Sequence, residues 1–406
     1  MSHIEIGSRE HKYTIISMLI GSIVTFATMY SPQPLISLFS QQYKISASTA
    51  SCSISLTAIA LGIGLLFIPI LSNRYGRKVV MGSSLFITSF LAIFSSMFNN
   101  FYVFLAIRLI EGISIAGFPS IAITYLNEEF SKKSIGSVIG AYVAGTAIGG
   151  FTGRVVVGAL TDLISWKMSL IVLGVINFAL SIIFCLLLPK SKNFNKKANM
   201  SMKHWAYNVQ GCFRDHKLVC VYITGFMLMG VYIALLDYIG YPLTRAPYNM
   251  SQTVFGFIFV VNLLGIFSSV WFGKLTDKFP RRNIQLLAVT CLLSGGLLTL
   301  FPNLILKLVG LAIFVFGFFG GHAVASGWIG LLSPSKYKAQ ASSFYLMFYY
   351  GGSSIIGYFG GFFLQGWNWK GFILYLCLLL MITVFVILKA EPIRRLQFIP
   401  INNTNR

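Results

Sequence analysis

Ionisable side chains are scarce in this sequence, so the few that interrupt its apolar stretches are the first candidates for chemistry. Arg108 and Glu111 lie three residues apart in Arg108-Leu109-Ile110-Glu111-Gly112. On a helix that spacing places both side chains on one side, where they can neutralise each other. Burial favours the neutral form of such a carboxyl and the adjacent guanidinium favours its charged form, an opposition that suits a group taking up and releasing protons. The same pair would equally serve as a static internal salt bridge. Asp237, near the end of another apolar stretch, is either a further proton site or an exposed loop residue. His322, beside Gly320-Gly321, is either a proton shuttle, since an unperturbed imidazole titrates near neutrality, or a hydrogen-bonded interior histidine.

A second set of charges is organised by repetition. Leu71-Ser72-Asn73-Arg74-Tyr75-Gly76-Arg77-Lys78 returns 204 residues later as Leu275-Thr276-Asp277-Lys278-Phe279-Pro280-Arg281-Arg282. Trp166-Lys167 returns as Trp369-Lys370, and Gly149 and Gly158 as Gly352 and Gly361, all at an offset of 203. The order is kept, which marks an internal duplication of the kind that builds transporters from two equivalent halves.

The elements carrying these residues must sit in lipid. The 406 residues are 56% hydrophobic and 10% charged, with a mean hydropathy of +0.77, and a water-soluble fold would leave too much apolar surface exposed. A helix needs about 20 apolar residues to cross the hydrocarbon core. Windows of that length predict twelve spans, at approximately 13–35, 50–71, 79–97, 101–126, 135–159 and 167–189 in the first half. The second half gives 218–240, 252–272, 284–301, 304–331, 341–363 and 370–389. The expected organisation is an N-terminal six-helix bundle (1–189), a basic cytoplasmic linker (190–217), a C-terminal six-helix bundle (218–389) and a cytoplasmic tail (390–406). Within the linker, His204-Trp205-Ala206-Tyr207 belongs either to an amphipathic surface helix or to a solvated loop.

Charge sets the expected orientation. With the N-terminus in the cytoplasm, loops and tails on that side hold 24 Lys and Arg, the opposite side holds five, and Arg108 and Arg154 lie inside spans. By the positive-inside rule both termini are then cytoplasmic, in a cell membrane. The net charge of +21 comes from these short segments and not from a basic face, so nucleic acid is not an expected partner. Five of the six cysteines fall in apolar segments with no metal-ligand spacing. No phosphate-binding Gly-rich loop ending in Gly-Lys-Ser/Thr occurs, which leaves an ion gradient or passive flow to drive transport. No removable signal peptide is read at the N-terminus, and no cofactor is expected.

On these motifs the chain resembles the major facilitator superfamily over essentially its whole length. That family's signature between spans two and three is Gly-x-x-x-Asp-Arg-x-Gly-Arg-Lys/Arg. Arg74, Gly76, Arg77 and Lys78 match it, while Pro69 and Asn73 depart from it. The second copy keeps Gly273, Asp277, Lys278, Arg281 and Arg282 but has Pro280 in place of the later glycine. The first copy therefore lacks the carboxylate that pairs at this hinge. Arg108 to Gly112 looks like the fourth-span Arg-x-x-Gln-Gly signature with Glu111 for Gln. The fifth span, with Gly145, Gly149, Gly153 and Arg154, resembles the glycine-rich motif of proton-linked efflux members, where small residues would let this helix slide against a partner in the opposite half. Gly153-Arg154, Asp162, Gln33-Pro34 and Tyr238-Ile239-Gly240-Tyr241 look like a YnfM-like inner-membrane branch.

The resemblance implies a monomeric secondary transporter of alternating access, with a small-molecule substrate, protons and the bilayer as partners. Proton-coupled export leads, with Glu111 as principal coupling carboxylate and Arg108, Asp237 and His322 beside it. A proton-coupled importer or a facilitator is the alternative. Solute contacts are expected near the midplane from Tyr30, Gln33, Tyr232 and Phe316. A membrane-embedded enzyme would need clustered His, Asp or Cys at one membrane face, and the sequence contains no such cluster.

Overall fold

The computed structural model describes residues 3–5, 7–130, 135–194, 209–334 and 337–390. The proposed helix around His204 and most of the tail lie outside these residues. Among the described residues, twelve long helical segments follow one another, besides a short helical piece at 209–214: α1 (Arg9–Gln42), α2 (Ala47–Tyr75), α3 (Arg77–Ser96), α4 (Phe101–Glu129), α5 (Ile135–Leu163), α6 (Trp166–Leu187), α7 (His216–Leu243), α8 (Gln252–Leu275), α9 (Arg281–Leu298) and α10 (Leu304–Leu332). The last helical run, Lys338–Ala390, leaves helical geometry at Trp367 and Asn368, where Asn368 has φ +53°. It therefore supplies two arms, 338–366 (α11) and 369–390 (α12). The only extended pairing among the described residues is an isolated bridge between Ile4 and Phe130. Chain in this all-helical form satisfies its backbone groups internally, as a lipid environment requires.

Local sequence explains where the helices start and break. Ser8, Ser46, Asn100, Ser165, Asp215, Ser251 and Asn303 each accept a backbone N–H from the first turn that follows them. Pro32 and Pro34 interrupt α1 after Tyr30 by a short 3-10 turn, Gln33–Leu35, because proline lacks the N–H that continues a helix. This turn carries α1 on to Gln42, beyond the span end read from sequence. Pro119 similarly opens the second part of α4. Gly76, at φ +95°, turns α2 into α3, a conformation that other L-residues adopt only with strain. In the second copy Pro280 stands before α9. That helix is 18 residues long and is the one segment outside the ten helical runs long and apolar enough to span, since Arg281, Arg282 and Asn283 occupy its first turn.

The duplication is visible in packing. A Cβ added to Gly149 of α5 would fall 2.7 Å from the Cα of Ile23 in α1, and one added to Gly352 of α11 would strike the backbone of Phe226 in α7. Ile23 and Phe226 are themselves 203 apart, as the glycines are. Gly145 and Gly153 meet α1 in the same way, at Leu19 to Ser22 and at Ala27. These glycines thus join α5 to its neighbour within the first half, which corrects the expectation that they face the opposite half. Gly158 is the one that crosses over, against Gln252 and Gly256 of α8, and its equivalent Gly361 meets Ser48 of α2.

Contacts between the halves run mainly along α2 with α11 and α5 with α8, and their polar bonds gather at the end away from the basic loops. Asp162 accepts from the backbone N–H and hydroxyl of Thr253 (2.7 and 2.6 Å) and from the N–H of Gln252 (3.2 Å). The Ser354 hydroxyl donates to the Ser55 carbonyl at 2.6 Å. The Tyr238 hydroxyl lies 2.9 Å from Ser51 Oγ across the halves, and within its own half it donates to the Gly357 carbonyl at 2.6 Å.

Candidate functional site

The break in α1 organises the first buried charge. The carbonyl of Thr28 would bond to the N–H four residues on, but that residue is Pro32, which has none. The Ser31 hydroxyl (2.9 Å) and the guanidinium of Arg108 take this place: Nη1 donates to the Thr28 carbonyl (3.3 Å), Nη2 to that of Met29 (2.9 Å) and Nε to that of Ser53 in α2 (3.1 Å). Nη1 also reaches Glu111 Oε2 at 2.5 Å, and Glu111 is fully buried with Oε1 unpartnered. Three carbonyls and one carboxylate compensate the cation, as an arginine withdrawn from water requires. The pair braces α1, α2 and α4 within one half.

A second buried assembly joins the two halves. Arg154 of α5 donates through Nε to Gln33 Oε1 (2.7 Å) and through Nη1 to the Gly150 carbonyl (2.5 Å). Its guanidinium lies over the rings of Tyr30 (4.4 Å to the centroid) and Phe259 of α8 (4.7 Å), an arrangement that stabilises a desolvated cation. Gln33 then donates through Nε2 to Asp237 Oδ1 of α7 at 2.6 Å. Asp237 is 2% exposed, and its Oδ2 has no hydrogen-bond partner. It is therefore an interior carboxylate and not an exposed loop residue. Arg154, grouped from sequence with the packing glycines, is the cation of this network.

The expected solute contacts divide. Tyr30 and Gln33 both contact Arg154. Tyr232 donates to Asn262 Oδ1 (2.8 Å) and stacks at 3.6 Å on Phe318. Phe316 lies elsewhere: its ring packs on Trp271 and Phe272 of α8 at 5.7 Å. Two residues along α10 turn the side chain to another face, so Phe318 is the α10 aromatic of this cluster. His322 lies 2.9 Å from the Tyr345 hydroxyl and 4.6 Å from the Tyr349 ring, which places it in the same aromatic group as a hydrogen-bonded histidine. Tyr349 of α11 joins this group through Phe318, the two ring centroids 6.3 Å apart. Among the described residues, no group of three or more His, Cys, Asp or Glu is placed to hold a metal.

The basic loops differ from each other. Arg77 is 5% exposed and forms a two-pronged pair with Glu128 of α4, Nη2 to Oε1 at 2.7 Å and Nε to Oε2 at 3.0 Å. It also donates to Asn73 Oδ1 (2.8 Å) and to the Ser72 hydroxyl. Glu128 thus supplies the carboxylate that the first loop lacks at Asn73. Sequence reasoning missed it because its partner lies 51 residues away. Lys78 donates to the Leu188 carbonyl at the end of α6, a favourable place for a cation. Arg74 is exposed beside Tyr75. In the second loop Asp277 and Lys278 are exposed, while Arg281 and Arg282 are half-buried and Arg282 meets Asn283.

Repeated six-helix halves, buried charges where they meet and a polar hinge between spans two and three define a multi-pass membrane transport protein. The chain belongs to the Major Facilitator Superfamily, whose family model matches residues 18–323 and again 218–403. It is 36% identical over 386 residues to the uncharacterized MFS-type transporter YybF of Bacillus subtilis, covering 95% of each chain. To the inner membrane transport protein YnfM of Escherichia coli it is 34% identical, covering 94% of this chain and 91% of that one. A more distant relative is the multi-drug resistance efflux pump PmrA of Streptococcus pneumoniae, at 27% identity over 84% of this chain and 88% of that one. Among solved structures, the nucleoside transporter NupG (D323A mutant) superposes with a TM-score of 0.77 at 14% identity, covering 93% of this chain and all of that one, a likeness of fold.

Proposed function

We propose that this protein is a proton-coupled exporter of a small organic solute, working as a monomer in a cell membrane with both termini in the cytoplasm. Residues 1–189 and 218–389 are the two bodies that rock about the central site. The single observation that carries this reading is the chain Arg154–Gln33–Asp237, in which a buried carboxylate of one half is held by an amide of the other.

An ionised Asp237 accepts a charge-assisted hydrogen bond from Gln33, and protonation weakens it. Hydrogen bonds to charged groups contribute about 1–2 kcal/mol more than neutral ones. That difference would shift an equilibrium between closed and open forms of this end by roughly tenfold. Proton binding at Asp237 would therefore loosen the halves at the end where Asp162, Tyr238 and Ser354 also bridge them. Glu111, the carboxylate favoured from sequence, supports the reading less well, because it bonds within one half and helps to hold Arg108 against the α1 break. Export is supported by the glycine-rich fifth span and by the likeness to an efflux pump.

The test is flux through the purified protein in liposomes. Candidate solutes should accumulate against their gradients when a pH gradient is imposed and should only equilibrate without one. Equal final distribution with and without the pH gradient, for every solute that is carried, would remove proton coupling.

A further inference from the structure

We propose that the solute carries a cationic nitrogen, which pairs with Asp237 Oδ2 in the place where the internal repeat leaves an arginine out. This inference rests on the proton-coupled reading above and names the substrate class of the same site.

The repeat offset of 203 shared by Gly149 and Gly352 places Arg154 opposite Gly357, and Asp237 lies beside Gly357 as Gln33 lies against Arg154. In the first half an arginine side chain fills its position and bonds Gln33. In the second half the corresponding position has no side chain. A Cβ built on Gly357 would lie 3.7 Å from Asp237 Oδ2 and 3.4 Å from Ser55 Oγ. Both oxygens are buried without hydrogen-bond partners. A buried carboxylate oxygen in that condition is costly unless a donor or a proton reaches it. Duplication thus gives one half an arginine and the other a carboxylate with an unfilled position beside it.

The surroundings decide which donor fits. The charged and titratable groups facing Asp237 are Arg154, Tyr30, Tyr238 and Tyr241. Arg154 is committed to Gln33 and the Gly150 carbonyl, so its cation does not complete Oδ2. The ring of Tyr30 already carries the Arg154 guanidinium, and the aromatic side chains around it suit the apolar body of an organic cation. An ammonium or guanidinium group on an apolar or aromatic body satisfies both the oxygen and the rings. A proton and a singly charged solute then compete for one carboxylate. When the solute binds, the O–H bond of protonated Asp237 breaks, the proton leaves to water on the side to which the site is open, and the solute's N–H takes the oxygen. Exchange of one proton for one monovalent cation carries no net charge.

Phenethylammonium and its neutral analogue phenethyl alcohol are suitable probes, titrated into the purified full chain in detergent, with binding heat and proton release both recorded. Phenethylammonium should bind and release about one proton per chain, since both ligands use one group. Phenethyl alcohol should bind at least about tenfold more weakly and release none. Asp237→Asn should lose the amine's binding. Gly357→Ala, whose methyl meets only ordinary contact distances, should keep the thermal unfolding temperature and weaken amine binding. Equal binding of the two probes, or no binding of the amine at about 10 mM, a concentration that would reveal even a weak complex, would overturn the cation subsite. Proton-driven transport of a neutral solute could still stand in that case. Amine binding without proton release would keep the subsite and instead refute the coupling proposed above.

Discussion

Gln33 of one half and Asp237 of the other, 204 residues apart, bond to each other at 2.6 Å across the junction of the halves. Gln33 bonds Arg154, and Asp237 lies beside Gly357, the residue that the repeat offset of 203 places opposite Arg154. Arg154 on one side and Gly357 on the other make this junction asymmetric, and that asymmetry is where a proton or a solute can act.

The pair Arg77–Glu128 should behave as a hinge contact. Arg77→Ala removes both prongs of a largely buried pair and leaves Glu128 unpaired. Transport should fall roughly tenfold, equivalent to ~1.4 kcal/mol, with membrane insertion unchanged because orientation rests on many charges. Glu128→Gln should fall similarly, and the double variant should add little to either. Solute flux and membrane yield, measured for all three variants, check this. Wild-type flux in Arg77→Ala would reduce the residue to an anchor.

Glu111 should matter more to stability than to coupling. Glu111→Ala leaves Arg108 buried without its carboxylate and should destabilise the protein by roughly 3 kcal/mol, seen as a lower unfolding temperature in detergent. Glu111→Gln, which keeps a hydrogen-bond acceptor for Arg108, should still concentrate solute under a pH gradient. Loss of accumulation in Glu111→Gln, with normal stability, would return the coupling role to this residue.

Packing at the repeat glycines should be unforgiving. Gly149→Val and Gly352→Val would drive side chains into the backbones of α1 and α7, and overpacking of this kind costs about 1–3 kcal/mol. Gly140, which has nothing within 4 Å of an added Cβ, serves as control. Gly140→Ala should be neutral or stabilise slightly, by up to ~1 kcal/mol, through helix propensity. Thermal unfolding of the three variants separates the cases.

Much of the fold was legible in the sequence because apolar length and basic loops are local signals. The all-helical membrane reading and the family both hold, and the Arg108–Glu111 spacing pointed correctly to a contact. What was not legible depends on facing and on distance along the chain. Arg154 sits in a glycine-rich helix, and its own neighbours do not indicate whether it meets lipid, solvent or Gln33, 121 residues away. Phe316 and Phe318 differ by two positions and point to different clusters. Asp237 could not be told from a loop residue because it lies close to a span end, where depth is set by how α7 packs.

Orientation has its own check. Reporter fusions at residue 200 and after residue 406 should both read cytoplasmic, as the 24 to five charge bias requires. A signal from the opposite face at either position would contradict the arrangement and invert the assignment of the closed end.

The most direct test of proton coupling at the junction compares Asp237→Asn with the wild type in liposomes under two regimes. Asparagine keeps the shape and an acceptor for Gln33 but cannot carry the proton. With a pH gradient imposed, the variant should fail to concentrate a solute that the wild type concentrates. Without the gradient, it should still exchange a neutral or weakly bound solute down its concentration gradient. Accumulation by Asp237→Asn equal to that of the wild type under the same pH gradient would contradict the account.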